Sequence, residues 1–115
     1  MVKGIALLKR KPGLTPEEFR KHYEESHAPL ALKVVPTIKR YVRNYITTVA
    51  FTAGGEEPLF DCITEQWFDD MEGLQAMMAI GGTDAGRAIA EDERKFLDRK
   101  KTVYLVVEEV ESQLP

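Results

Sequence analysis

The sequence predicts an α+β domain of the split βαβ, ferredoxin-like kind: one four-stranded antiparallel sheet with helices on one face. Three observations carry this. Apolar, β-branched runs alternate with helical patterns in the order strand, helix, strand, strand, helix, strand. No repeat, low-complexity stretch or linker divides the 115 residues, which therefore read as one domain, 1–115. Hydrophobic content of 43% and charged content of 30% are those of an ordinary globular protein with a core of its own.

Val2 to Leu8 is a short apolar run closed by Lys9, Arg10, Lys11 and the turn pair Pro12-Gly13, and it predicts the first strand. LTPEEFRKHYEESH then opens a helix. Thr15 fits the N-cap, Pro16 the first helical position, and Glu18, three residues after Thr15, completes a capping box. Pro29 disfavours helical dihedrals at Ala28, so the helix is expected to end or kink near His27, with one further turn in PLALKVV. IKRYVRNYITTV (38–49) and FDCITEQWF (60–68) predict an antiparallel pair around the turn cluster AGGEEP (53–58). A second helix is expected from Asp69, with Glu72 completing a capping box. Gly81-Gly82 interrupts it, and Thr83 or Asp84 caps a third stretch to about Asp98. TVYLVVEEVE (102–111) predicts the last strand.

The strand faces imply a partner. In the last strand Val103, Leu105 and Val107 point one way and Tyr104 and Val106 the other; in the first, Ile5 and Leu7 oppose Val2, Ala6 and Leu8. Both faces are apolar, yet helices cover only one. An uncovered apolar face marks an interface, and a two-fold homodimer pairing sheet against sheet is the economical solution.

Charge and composition exclude several classes. With 16 basic and 19 acidic residues the net charge is −3, so there is no footprint for nucleic acid. One cysteine, Cys62, excludes an internal disulfide and a cysteine-rich metal site. The apolar run near the N-terminus is too short for a secretory h-region, and no stretch approaches the ~20 apolar residues of a membrane span, so a cytoplasmic protein is expected. Two histidines spaced by five match no metal-ligand spacing, and no phosphate-binding glycine loop, dinucleotide fingerprint or nucleophile elbow is present. No metal and no tightly bound cofactor are expected.

Both histidines lie in HYEESHAPL, residues 22–30. Phe19, Tyr23 and Leu30 share the helix face that meets the sheet, and His27 and His22 flank that face on opposite sides. His27 sits where the helix is expected to stop, at the negative end of its dipole, which favours the imidazolium. It lies four residues after Tyr23, so the two side chains can meet. An imidazole beside a phenol and an apolar wall suits acid/base chemistry; the other reading is a histidine capping the last carbonyls of its helix. Asp92 falls on the apolar stripe of Ala85, Ile89 and Phe96, where a carboxylate must be solvated or paired. Two readings stand: Asp92 orients or charges His27 across a pocket, or it is exposed and screened by Arg94 or Lys95. Asn44 and Tyr45 point to opposite faces of one strand, and whichever faces the helices could orient a substrate oxygen. Trp67 reads as core or as a substrate platform, and Glu65 as a paired strand carboxylate.

LLKRKPGLTPEEFRKHYEESHAPLALKVVPTIKRYVRNY resembles the opening of the EthD-domain family, whose members carry His-x-Pro-Leu after the first helix; EQWFDD and AEDERKFLDRKK resemble its second half. The resemblance spans nearly the whole chain. It implies a dimeric α/β barrel of two ferredoxin-like subunits. The superfamily includes cofactor-free polyketide cyclases, lactone isomerases, fungal dehydratases and small monooxygenases, and the founding member is associated with ether degradation beside a cytochrome P450 system, hence the family's oxidoreductase label. His27 matches the motif histidine. Tyr45 follows Asn44 where some relatives have a His, so a second imidazole is not implied there.

Residues and resemblance together predict cofactor-independent proton-transfer chemistry (dehydratase-, cyclase-, isomerase- or oxygenase-like) on a small carbonyl or aromatic compound. His27 would move the proton, Asp92 would set its charge, and Tyr23 and Asn44 would hold oxygens. Tyr45, Trp67, Phe19 and Leu30 complete the expected binding set. The rival reading is a non-catalytic dimer that binds a metabolite or assists another oxidoreductase.

Overall fold

The computed structural model describes residues 1–52, 54, 55 and 58–115. The turn cluster expected at 53–58 therefore lies partly outside the described residues. Four strands, β1 (Val2–Leu8), β2 (Arg40–Tyr45), β3 (Cys62–Phe68) and β4 (Val103–Val107), form one sheet in the order β2-β3-β1-β4. Every neighbouring pair is antiparallel, as the ferredoxin-like arrangement requires. Helices α1 (Pro16–His22), α2 (Ala28–Val34), α3 (Met71–Met78) and α4 (Asp84–Phe96) complete the fold.

Strand alternation sorts the side chains. Ala6 pairs with Thr64 and Tyr104, Thr64 with Arg43, and Leu8 with Cys62, which pairs in turn with Tyr45, so these residues share the helix-facing side. Ile5, Leu7, Val42, Ile63, Glu65, Trp67, Val103 and Leu105 occupy the opposite side, which no helix covers. Beneath the helices, Leu8, Phe19, Tyr23, Ala28, Cys62, Phe96 and Leu97 form one apolar cluster, and Val35, Phe68 and Leu74 a second. Cys62 lies fully buried in the first.

Local chemistry explains the element ends. Thr15 caps α1 with its capping box to Glu18 complete. The second cap falls on Asp70 rather than Asp69: its carboxylate accepts from the Gly73 N–H at 2.9 Å, and Glu72 takes no part. Thr83 caps α4 by accepting from the Gly86 N–H. β2 and β3 are shorter than the runs that suggested them. β4 stops at Val107, not residue 111, because Val107 already pairs with Lys3 and β1 begins one residue earlier.

The interruption expected near His27 takes the form of a π-helical turn, Tyr23–His27, which joins α1 to α2, and Pro29 sits in the first turn of α2. A proline lacks an N–H and its ring crowds the carbonyl four residues back. The wider turn, in which the Ala28 N–H bonds the Tyr23 carbonyl, accommodates both defects without breaking the rod.

Candidate functional site

A cavity of about 360 Å³ lies between the helices and the sheet, bordered by members of both apolar clusters. Much of its wall is apolar, including Ala31, Val35, Ile38, Met77 and Ile89. The polar groups that reach it are His27 from the π turn, and Tyr23, Tyr41, Thr64, Gln66 and Tyr104 from the helix and strands, with Glu93 and Arg99.

His27 is held by one carboxylate. Its Nδ1 lies 2.9 Å from Asp92 Oδ2, and both residues are buried, 8% and 5% exposed. Asp92 Oδ1 accepts from the Ser26 hydroxyl at 2.8 Å and lies 3.0 Å from His22 Nε2. Phe96 packs against both imidazoles, with ring centres 4.9 Å away, and the Tyr23 ring meets His27 edge-on. Burial pulls the His27 pKa below its ordinary value, and the Asp92 bond offsets only part of that effect. Burial pushes Asp92 the other way, yet the Ser26 and His27 bonds and the histidine charges outweigh it and hold the carboxyl below its usual range. Near neutral pH the pair is thus imidazole and carboxylate. An ionised carboxylate only accepts, so the hydrogen sits on Nδ1 and Nε2 carries a free lone pair. No side-chain nitrogen or oxygen among the described residues is both sealed and unpartnered, and Nδ1 takes the Asp92 bond. Nε2 is therefore not sealed off, and His27 is part of the cavity wall.

Three hydroxyls of the same cavity wall are joined, Tyr23 from the π turn with Tyr41 and Thr64 from the sheet. Tyr23 Oη is 2.8 Å from Tyr41 Oη and 2.7 Å from Thr64 Oγ1. Burial raises the pKa of both phenols, that of Tyr41 to about 12 despite its bond to Tyr23 and the Arg43 guanidinium over its ring. Both stay protonated. If Thr64 donates to Tyr23 and Tyr23 to Tyr41, the Tyr41 hydrogen is free for a ligand oxygen. Farther along, Tyr104 donates to Gln66 Oε1 at 2.8 Å, and its ring lies where a Cβ on Gly4 would otherwise be.

The expected set divides sharply. His27, Asp92 and Tyr23 come together. The expected dipole effect on His27 is absent, since the helix runs on through it and burial governs the ring instead. Asp92 is paired, not exposed beside Arg94 or Lys95. None of the five expected binding residues lines the cavity. Asn44 is on the uncovered face, its amide donating to the Ile63 carbonyl and Glu65, both at 2.9 Å. Trp67 shares that face, between Lys3 and Arg40. Tyr45 does point to the helices but donates to Glu24, away from His27. Phe19 is core, 1% exposed, and Leu30 is half-buried beside the rod.

Reasoning from the sequence missed His22, Tyr41, Thr64, Gln66 and Tyr104. Position in the sequence favours His27 over His22, which lies mid-helix between Lys21 and Glu25 on the opposite flank of an ideal α-helix. In a π turn the five-residue spacing brings both rings to Asp92. The strand residues were signalled by alternation with Cys62, Phe68 and Tyr45, but the sheet side had to be known first.

Known proteins fit this architecture. The EthD domain model matches residues 11–100, most of the chain. The chain belongs to the EthD family. An EthD family protein of Bacillus halodurans shares 30% identity over 96% of this chain and 100% of its own, with a TM-score of 0.68. A dimeric protein of unknown function and ferredoxin-like fold from Bacteroides fragilis is 13% identical over 93% of this chain and 94% of that one, TM-score 0.61. A dimeric ferredoxin-like protein of Thermobifida fusca is 17% identical over 92% and 88%, TM-score 0.55. The last two show the fold alone. No curated relative matches the sequence. Among the described residues of this EthD domain, no helix is long and apolar enough to cross a membrane, and no cluster of three or more His, Cys, Asp or Glu is placed to hold a metal ion.

Proposed function

We propose that this EthD domain is an enzyme of cofactor-independent proton transfer, acting on a small, largely apolar carbonyl or aromatic compound. The observation that carries the reading is His27: an imidazole aligned by a buried carboxylate through Nδ1, its Nε2 unsealed, in the wall of a cavity of small-molecule size. Nε2 removes a proton from a carbon next to the substrate carbonyl. The C–H bond breaks, an N–H bond forms, and the electron pair moves onto the carbonyl oxygen. Tyr41 donates to that oxygen as charge develops, and Asp92 stabilises the imidazolium. Returning the proton elsewhere on the substrate completes an isomerisation; delivering it to a β-hydroxyl, which departs as water, gives dehydration; and where the enolate carbon attacks a second carbonyl of the same substrate, the oxygen of that carbonyl takes the proton and the ring closes. Tyr23 acts through Tyr41, and Asn44 has no part in the site.

The working unit is a homodimer joined through the uncovered sheet face. Two structural relatives are dimeric, and the face offers Ile5, Leu7, Ile63, Val103 and Leu105 with no helix over them. The charges within it are already matched: Lys3 pairs with Glu65 at 2.5 Å and with Glu109 at 2.6 Å.

The test is a thermal-shift screen of small ketones, lactones and phenols on the wild type and H27Q in parallel. A ligand at 100 times its dissociation constant adds about 2.7 kcal/mol, several degrees for a domain of this size. Hits that weaken or vanish in H27Q, and turn over with the wild type, support the base. Hits that bind both proteins equally and never react would favour a binding or accessory role.

A further inference from the structure

One carboxylate serves two imidazoles. Asp92 lies within 3.0 Å of His22 Nε2 through one oxygen and 2.9 Å of His27 Nδ1 through the other, because the π turn brings residues five apart to the same side of the rod. π turns of this kind are rare and concentrate at functional sites. The two rings differ in access: the His22 side chain is 24% exposed and that of His27 10%. His22 thus meets solvent at the outer end of the array, while His27 meets the cavity at the inner end.

We propose that His22 is a positioning residue that sets the basicity of His27 by competing for Asp92, so that the array carries one extra proton and not two. This builds on the proton-transfer reading for its role in turnover, but the coupling itself does not depend on it. A single carboxylate compensates a single cation. When His22 takes a proton from water, the Asp92 charge is matched at the outer end and a cation at His27 is left inside an apolar site with little support. When His22 is neutral, its N–H still braces the carboxylate, and the full negative charge is available to the imidazolium formed at His27.

The surroundings leave this competition intact. His22 is faced by Asp92 and Phe96 of α4, with the Ser26 hydroxyl on the same oxygen. His27 is faced by Asp92 and Glu93 of α4 and by the neutral Tyr23 phenol, and Glu93 is itself paired with Arg99 at 3.4 Å. Charge on His22 lowers the His27 pKa, while Asp92 and Glu93 raise it.

The test is an NMR titration of both imidazoles in the intact protein, without substrate, in wild type, H22Q and H27Q, each checked for a wild-type melting transition. In the wild type each ring is expected to titrate in two steps, since strongly coupled sites share their protons. In H22Q, where glutamine keeps a neutral donor but takes no charge, His27 titrates in one step with a higher midpoint. In H27Q the His22 midpoint rises by the same amount, because coupling is reciprocal. Superimposable His27 curves in wild type and H22Q overturn the proposal. Should H22Q not fold, the wild type alone decides: two independent one-step curves overturn it. If the curves are uncoupled but ligand hits are still lost in H27Q, the base stands and His22 is only a brace. Coupled curves with a silent screen leave the coupling standing and the choice of substrates wrong.

Discussion

His27 and Asp92 owe their pH behaviour to the burial that also aligns them. Both pKa values lie below the ordinary 6.5 of histidine and 3.8 of aspartate, so the fold prefers the imidazole and the carboxylate. The sign follows by linkage: for each group, stability is complete above the ordinary value and is lost as pH falls through the depressed one. Glu24, drawn down to about 2 chiefly by its bonds to Arg43, adds a third loss in the acid range below 4.5. Thermal melts should therefore be flat between about pH 6.5 and 8 and decline below that window, with a steeper decline once carboxylates protonate. In H27Q the first decline should be absent. A wild type that becomes more stable between pH 7 and 5.5 would contradict the buried, neutral imidazole. The Asp92 pairing is half legible in the sequence: a carboxylate on an apolar stripe must be solvated or paired, and only the packing of α4 on the π turn decides for the pair. His22 is not, because a mid-helix position gives no sign of the π turn that swings its ring to the same carboxylate.

At the scale of elements, propensity rules located every strand and helix, and tertiary contact set their limits. Thr15, Thr83 and the glycine pair mark real boundaries; Pro29 marks an interruption, at which the rod widens instead of stopping. β4 is limited by the length of its partner, which its own sequence cannot reveal. Gly86 shows the same dominance of context. In an exposed helix, Gly→Ala stabilises by up to about 1 kcal/mol. Here the first turn of α4 rests on the turn Ala79–Gly82, and a Cβ on Gly86 would overlap the Ile80 carbonyl. G86A should therefore destabilise, by about 1–3 kcal/mol in a urea titration, as over-packing does. A gain in stability would mean that these two segments separate readily.

For the whole molecule, the decisive asymmetry is a sheet with one face under helices and the other bare. Its alternation was readable strand by strand, and so was the need for a second layer. Leu105, 42% exposed at the middle of β4, is the place to test it. L105D adds a charge to the bare face while leaving the cavity side untouched, and should convert a dimeric wild type to monomers in sedimentation velocity. A wild type that sediments as a monomer would remove the sheet-to-sheet pairing. The other face holds Cys62, fully buried, its thiol pushed up to about 11 by burial. A thiol so placed is inert to alkylating reagents while the helices stay docked on the sheet, and ordinary once they lift. The chain thus carries a built-in clock: the rate at which its one sulfhydryl is consumed counts how often the roof over the sheet comes off, with no added label.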